Sequence, residues 1–130
     1  MVWYPSIEKI IEFNVLSLSV VKAKRADAAK VLSRAKISVT IASCMEAEGG
    51  VFVKAAVLLK GLVQAHAFAS GNRRTAFLVT KYFLVRNNQR LGVADNPENA
   101  KVLLGVRENH YSVAEIKEWI EHGKIKEFKR

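Results

Sequence analysis

The sequence predicts an all-α fold, a compact bundle of about six helices, and three observations carry that reading. Apolar residues recur at helical spacing, as in Ile7, Ile10, Ile11, Val15 and Leu18, which on a helix form a single stripe for a core. Helix-start signals stand ahead of several such segments: Ser6 after Pro5, then Asn96-Pro97-Glu98, then Ser112-Val113-Ala114-Glu115. These are respectively an N-cap, a cap followed by proline at the first helical position, and a capping box. Finally, residues 51–65 are apolar nearly all round, the pattern of a helix packed on every side.

Taken in order, the first helix starts after Ser6, with Glu8 in its favoured first turn. Lys22-Ala23-Lys24-Arg25 reads as a polar connection, after which Asp27 caps a second helix from Ala28 that Val31, Leu32 and Ala35 continue. Residues 37–41 are ambiguous. They alternate like a strand and are β-branched, yet Ile37, Ile41 and Met45 also fit one helical face. Glu46-Ala47-Glu48-Gly49-Gly50 is the clearest break in the chain. Residues 51–66 form the central helix, where Ala55, Ala56, Gly61 and Ala65 are small enough for neighbouring helices to come close. Another helix runs to Asn87-Asn88, with Ala76, Phe77, Thr80, Phe83 and Leu84 turned inward. The next opens at Asn96-Pro97 and ends near Gly105. The last carries Ile116, Trp119 and Ile120 and stops at Gly123, leaving 124–130 as a frayed basic tail.

At 130 residues the chain has the commonest size of one domain, and residues 1–130 are read as such. No apolar run reaches the roughly 18 residues of a membrane span, and Pro5, Glu8 and Lys9 interrupt any signal-peptide core. The single Cys44 makes no internal disulfide, and no Cys/His cluster has zinc spacing. The expectation is a soluble cytoplasmic protein without a membrane. A net charge of +9, from 21 basic and 12 acidic residues, favours an anionic partner. No nucleic-acid module signature is present, so nucleic acid is not expected as a direct ligand.

The stretch from His66 to Ala76 looks chemical. It packs a histidine, a Gly71-Asn72 pair and the arginines Arg73 and Arg74 between two helices. Arginines in the first turn of a helix oppose its dipole. The free N–H groups there, beside a glycine, form an anion cradle, and a phosphate would reconcile the two facts. Two solvated arginines are the plain alternative. A lone histidine at a helix end is by itself more often structural than catalytic.

These residues also resemble a known signature. His66-x-Phe68-x-Ser70-Gly71-Asn72-Arg73-Arg74 is similar to the Fic/Doc motif, H-x-F-x-[D/E]-[G/A]-N-[G/K]-R. The continuation Thr75-Ala76 and the run Phe83-Leu84-Val85-Arg86-Asn87-Asn88 resemble the Doc (death-on-curing) toxin branch more than Fic proper. So does Phe77, where Fic enzymes place a further arginine. The resemblance covers about residues 25–122 and favours helix over strand at 37–41. It also implies a short flap before the central helix, around Cys44 to Phe52, an ordinary interhelical turn being the other reading.

For function, the resemblance implies a Doc-like toxin that transfers a phosphoryl group, with adenylyl as second choice, from ATP or another nucleotide to a protein hydroxyl. His66 would be the general base. Gly71, Asn72, Arg73 and Arg74 would hold the nucleotide phosphates. Ser70 stands where active relatives have a magnesium-binding acid, and a neutral hydroxyl is a weaker ligand for Mg²⁺. The metal position is therefore degenerate, and the alternative is a non-catalytic Fic/Doc-fold protein that binds a phosphorylated ligand or a protein partner. The implied partners are a target protein and a separate antitoxin chain.

Overall fold

In a computed structural model that describes residues 1–20 and 29–129, the apolar stripes become six helices. They are α1 (Ile7–Val20), α2 (Arg34–Glu46), α3 (Val51–Ala65), α4 (Asn72–Arg86), α5 (Asn99–Arg107) and α6 (Val113–His122). Among the described residues no strand forms, only one isolated antiparallel bridge, Val31 with Phe68. No helix there is long and apolar enough to cross a membrane.

The core is built around α3, which packs against α2, α4, α5 and α6, while α1 lies on α2 and α4. Ala55, Ala56, Leu58, Leu59 and Val63 of α3 are wholly buried. Gly61 lets α2 approach closely: a Cβ there would sit 2.6 Å from Thr40 Cγ2. The inward residues expected of α4, from Ala76 to Leu84, are all buried. In α6 the capping box and the Gly123 stop, left-handed at φ 74, stand where the sequence placed them.

Several expectations are corrected. On α1, Ile10 is buried but Val15 is half exposed, and the inward positions beyond Ile10 are Asn14 and Ser17. That face of α1 meets a polar loop, so its buried side chains are ones that can hydrogen-bond. The Asp27 cap lies outside the described residues. Val31 and Leu32 are not helical; α2 begins at Arg34, with Ser33 as N-cap accepting from Lys36 N. The backbone of 30–33 is committed elsewhere, since Leu32 N and Ser33 N donate to Ala67 O and Ala69 N donates to Lys30 O. Tertiary pairing there overrides local helix preference.

Residues 37–41 are helical, and the buried face of α2 is Ile37, Thr40 and Cys44 rather than Ile37, Ile41 and Met45. Burial pushes the Cys44 thiol up to about 11, and the thiol donates to Lys54 O. The α2–α3 connection is short, residues 47–50, and holds no strand pair, while Cys44 and Phe52 belong to the flanking helices. Helix α5 starts at Asn99, not Pro97, because the preceding turn is tighter: Asn99, Ala100 and Lys101 N–H groups bond to carbonyls three residues back. It runs on past Gly105 to Arg107.

The C-terminal tail is packed rather than frayed. Phe128 is buried against the His110 ring, with centroids 5.0 Å apart, and Tyr111 Oη donates to Lys126 O at 2.8 Å. Phe128 supplies the apolar anchor that a purely charged tail would lack.

Candidate active site

Helix α3 ends where His66 turns into the left-handed region, at φ 49 and ψ 44. That conformation costs a non-glycine residue roughly 1 kcal/mol, and it starts the loop that carries the motif. Ala67 and Phe68 are buried, so the loop is anchored from below by an aromatic ring. One edge is tied to residues 30–33 through the bridge and bonds already described. The Asn72 side chain closes the loop on itself: Phe68 N donates to Oδ1 at 3.1 Å and Nδ2 donates to Phe68 O at 2.9 Å. Much of this amide's capacity therefore shapes the loop.

The other edge rests on α1. Asn14 Nδ2 donates to Ser70 O at 2.9 Å and to Thr75 Oγ1 at 3.1 Å. Ser17 Oγ lies 3.3 Å from Thr75 Oγ1 and donates to Asn14 O. This small network is buried and mutually satisfied, the condition under which buried polar groups rigidify a structure. It also explains Gly71. Its φ of 77 favours glycine, and a Cβ there would crowd Ser17 Oγ, Leu18 Cδ2 and Asn14 Nδ2 at 3.1–3.3 Å.

Gly71 is the N-cap of α4, which gives Asn72, Arg73 and Arg74 the first turn. N–H groups in a helix's first turn have no intrahelical acceptor. Before them opens a cleft of about 660 Å³, lined by His66, Gly71, Asn72, Arg73 and Arg74 on the motif side. The rest of the wall includes Asp95–Pro97 and the α5 residues Asn99, Leu103 and Arg107. Arg74 Nη1 meets Asp95 Oδ1 at 2.9 Å. His66 and Arg73 are exposed to solvent, so both can meet a ligand arriving from outside.

Five of the six residues singled out in the sequence thus converge on one cleft. Ser70 is not among its lining residues; its carbonyl accepts from Asn14. The donor set does not fit a magnesium ion held by the protein itself. Asp95 is the one carboxylate on the cleft wall among the described residues, it is engaged by Arg74, and no group of three His, Cys, Asp or Glu residues gathers anywhere among them. Sequence reasoning missed Asp95, Asn99 and Arg107, which only the packing of α5 on α3 brings to the motif. It missed Asn14 and Ser17 as well. Their signal was two polar residues three apart within an otherwise apolar helical stripe.

Compared with known protein families, the chain matches the model of the Fic/DOC family over residues 17–84, just over half its length. That span holds α2, α3, the motif loop and most of α4. No curated protein matches the chain.

Proposed function

This chain belongs to the Fic/DOC family, which supports a nucleotide-dependent transferase in general, and from that premise we propose a Doc-like phosphoryl transferase acting on a protein hydroxyl. The observation that carries the reading is the convergence of His66 with the arginine-bearing N-terminus of α4 on one cleft. A helix N-terminus with two guanidinium groups binds a phosphate and stabilises charge that grows on it during transfer. His66, solvent-facing at the cleft's edge, takes the proton from the incoming Ser, Thr or Tyr hydroxyl. The hydroxyl oxygen then bonds to the terminal phosphorus, the bond from that phosphorus to the bridging oxygen breaks, and the nucleoside diphosphate leaves. Any magnesium would arrive on the nucleotide, held mainly by its phosphates.

Phosphoryl rather than adenylyl transfer is supported by Phe77. It is buried and packs toward Trp119, with centroids 6.3 Å apart, where Fic proper carries another cleft arginine. If the protein is a toxin of this type, a separate antitoxin chain neutralises it, and the net charge of +9 suits an acidic one. One observation favours a second reading, a non-catalytic protein that binds a phosphorylated ligand: Ser70 offers no charged oxygen at the family's metal position.

The test incubates the protein with its host's soluble proteins and ATP labelled at either the terminal or the first phosphorus. Label passing to protein from the terminal position alone, and falling by about 10²–10⁴-fold in His66→Ala, is the expected result. Transfer from the first phosphorus would make it an adenylyl transferase. Binding of ATP without transfer of either label would establish the non-catalytic reading.

A further inference from the structure

Arg107 ends α5 and lines the same cleft as His66 and Arg74. It lies outside the motif and outside the span matched by the family. Asn99, Leu103 and Arg107 follow at four-residue spacing, so α5 turns one continuous face to the cleft. The Arg107 guanidinium is weakly held: its contact with Glu108 is 3.5 Å long and its side chain is 39% exposed, beyond normal hydrogen-bond distances. Arg74, in contrast, is paired with Asp95 at 2.9 Å.

Among the described residues the charges on the cleft wall do not balance: Arg73, Arg74 and Arg107 line it with a single carboxylate, Asp95. One phosphate at the start of α4 has backbone donors and the two motif arginines to meet it. A third guanidinium, delivered to the same cleft from a different helix, is available for a second one. We propose that Arg107 binds the next phosphate of a nucleoside polyphosphate and makes the cleft selective for di- and triphosphates over monophosphates. This rests on the nucleotide reading above. The competing role is structural, since a cation in the last turn of a helix is favoured by its dipole. That role would affect α5 but not the preference among nucleotides.

Calorimetric titration of ATP, ADP and AMP into wild type, Arg107→Gln, Lys101→Gln and Arg74→Ala separates these cases. Lys101 sits on the same helix, pairs with Glu127 at 3.6 Å and does not line the cleft, so it controls for general loss of charge. In Arg107→Gln, ATP and ADP affinity should fall by about tenfold or more, the size of a lost charge-assisted hydrogen bond. AMP affinity should change by less than about threefold, and Lys101→Gln should match wild type. Equal losses for AMP and ATP, an equal loss in Lys101→Gln, or no loss at all would overturn the assignment. If Arg74→Ala weakens ATP binding while Arg107→Gln does not, Arg107 alone is misassigned. If Arg74→Ala is also without effect, the nucleotide reading itself fails.

Discussion

At the scale of single residues, Ser70 is the position where the enzyme and binding-protein readings can be tested against each other. Its neighbours in the loop are held tightly: Gly71 by its φ and by α1, Asn72 by its two bonds to Phe68. A new carboxylate at position 70 would therefore sit on a prepared backbone. Ser70→Asp should strengthen magnesium-dependent ATP binding, because a charged oxygen is a far better ligand for a hard cation than a hydroxyl. The measurement is ATP affinity with magnesium and with chelator, for both proteins. A gain seen equally in chelator would mean that the aspartate acts on the loop and not on the metal. Ser70 was legible as a departure from the motif. Asn14 was not legible as its neighbour, because 56 residues of sequence separate the two.

Among the elements, α2 depends on a residue outside itself. The last carbonyls of a helix lack intrahelical donors, and Lys54 from α3 serves them: Nζ donates to Met45 O at 2.8 Å, to Ala47 O at 2.9 Å and more weakly to Cys44 O at 3.4 Å. The same ammonium lies 5.5 Å from the Tyr4 ring centroid. Lys54→Met keeps the aliphatic stem and removes the donors. It should lower stability by about 1–2 kcal/mol, the range for hydrogen bonds from a charged group that keeps some solvent access. Urea unfolding monitored by circular dichroism would measure it, and an unchanged midpoint would show that water replaces the ammonium without loss. In the sequence Lys54 reads only as an interruption of an apolar helix. Its role exists because the α2–α3 connection is four residues long, 47–50, and brings the end of one helix beside the start of the next.

At the scale of the whole molecule, α3 packs against four other helices, and at Gly61 it lies so close to Thr40 of α2 that a Cβ has no room. Gly61→Ala sets two effects against each other. Alanine in place of glycine favours a helix by about 1 kcal/mol, while overpacking a core costs about 1–3 kcal/mol. The new Cβ would lie 2.6 Å from Thr40 Cγ2. Thr40 cannot simply rotate away, because its hydroxyl donates to Lys36 O at 2.9 Å. The clash should win, with a net loss of about 1 kcal/mol in denaturant unfolding. In a Thr40→Ala background the methyl is gone, and the same substitution should become neutral or stabilising. A loss of equal size in both backgrounds would place the strain somewhere other than this helix pair.

What the sequence by itself determined is local. Helical periodicity, the Ser112 capping box and the Gly123 stop act within a few residues, so they were readable wherever tertiary pairing did not override them. The motif was readable for the same reason, since His66 through Arg74 are contiguous, a loop running into the first turn of α4. Only the tertiary structure decided what meets that loop. Residues 30–33 give up a helical turn to bond with Ala67 and Ala69. Asn14 and Ser17 of α1 are buried against the motif loop, and α5 with the turn before it brings Arg107 and Asp95 to a cleft that the motif alone leaves half built. Those pairings join residues far apart in the chain, and their free energy comes from contacts that no local window of sequence contains.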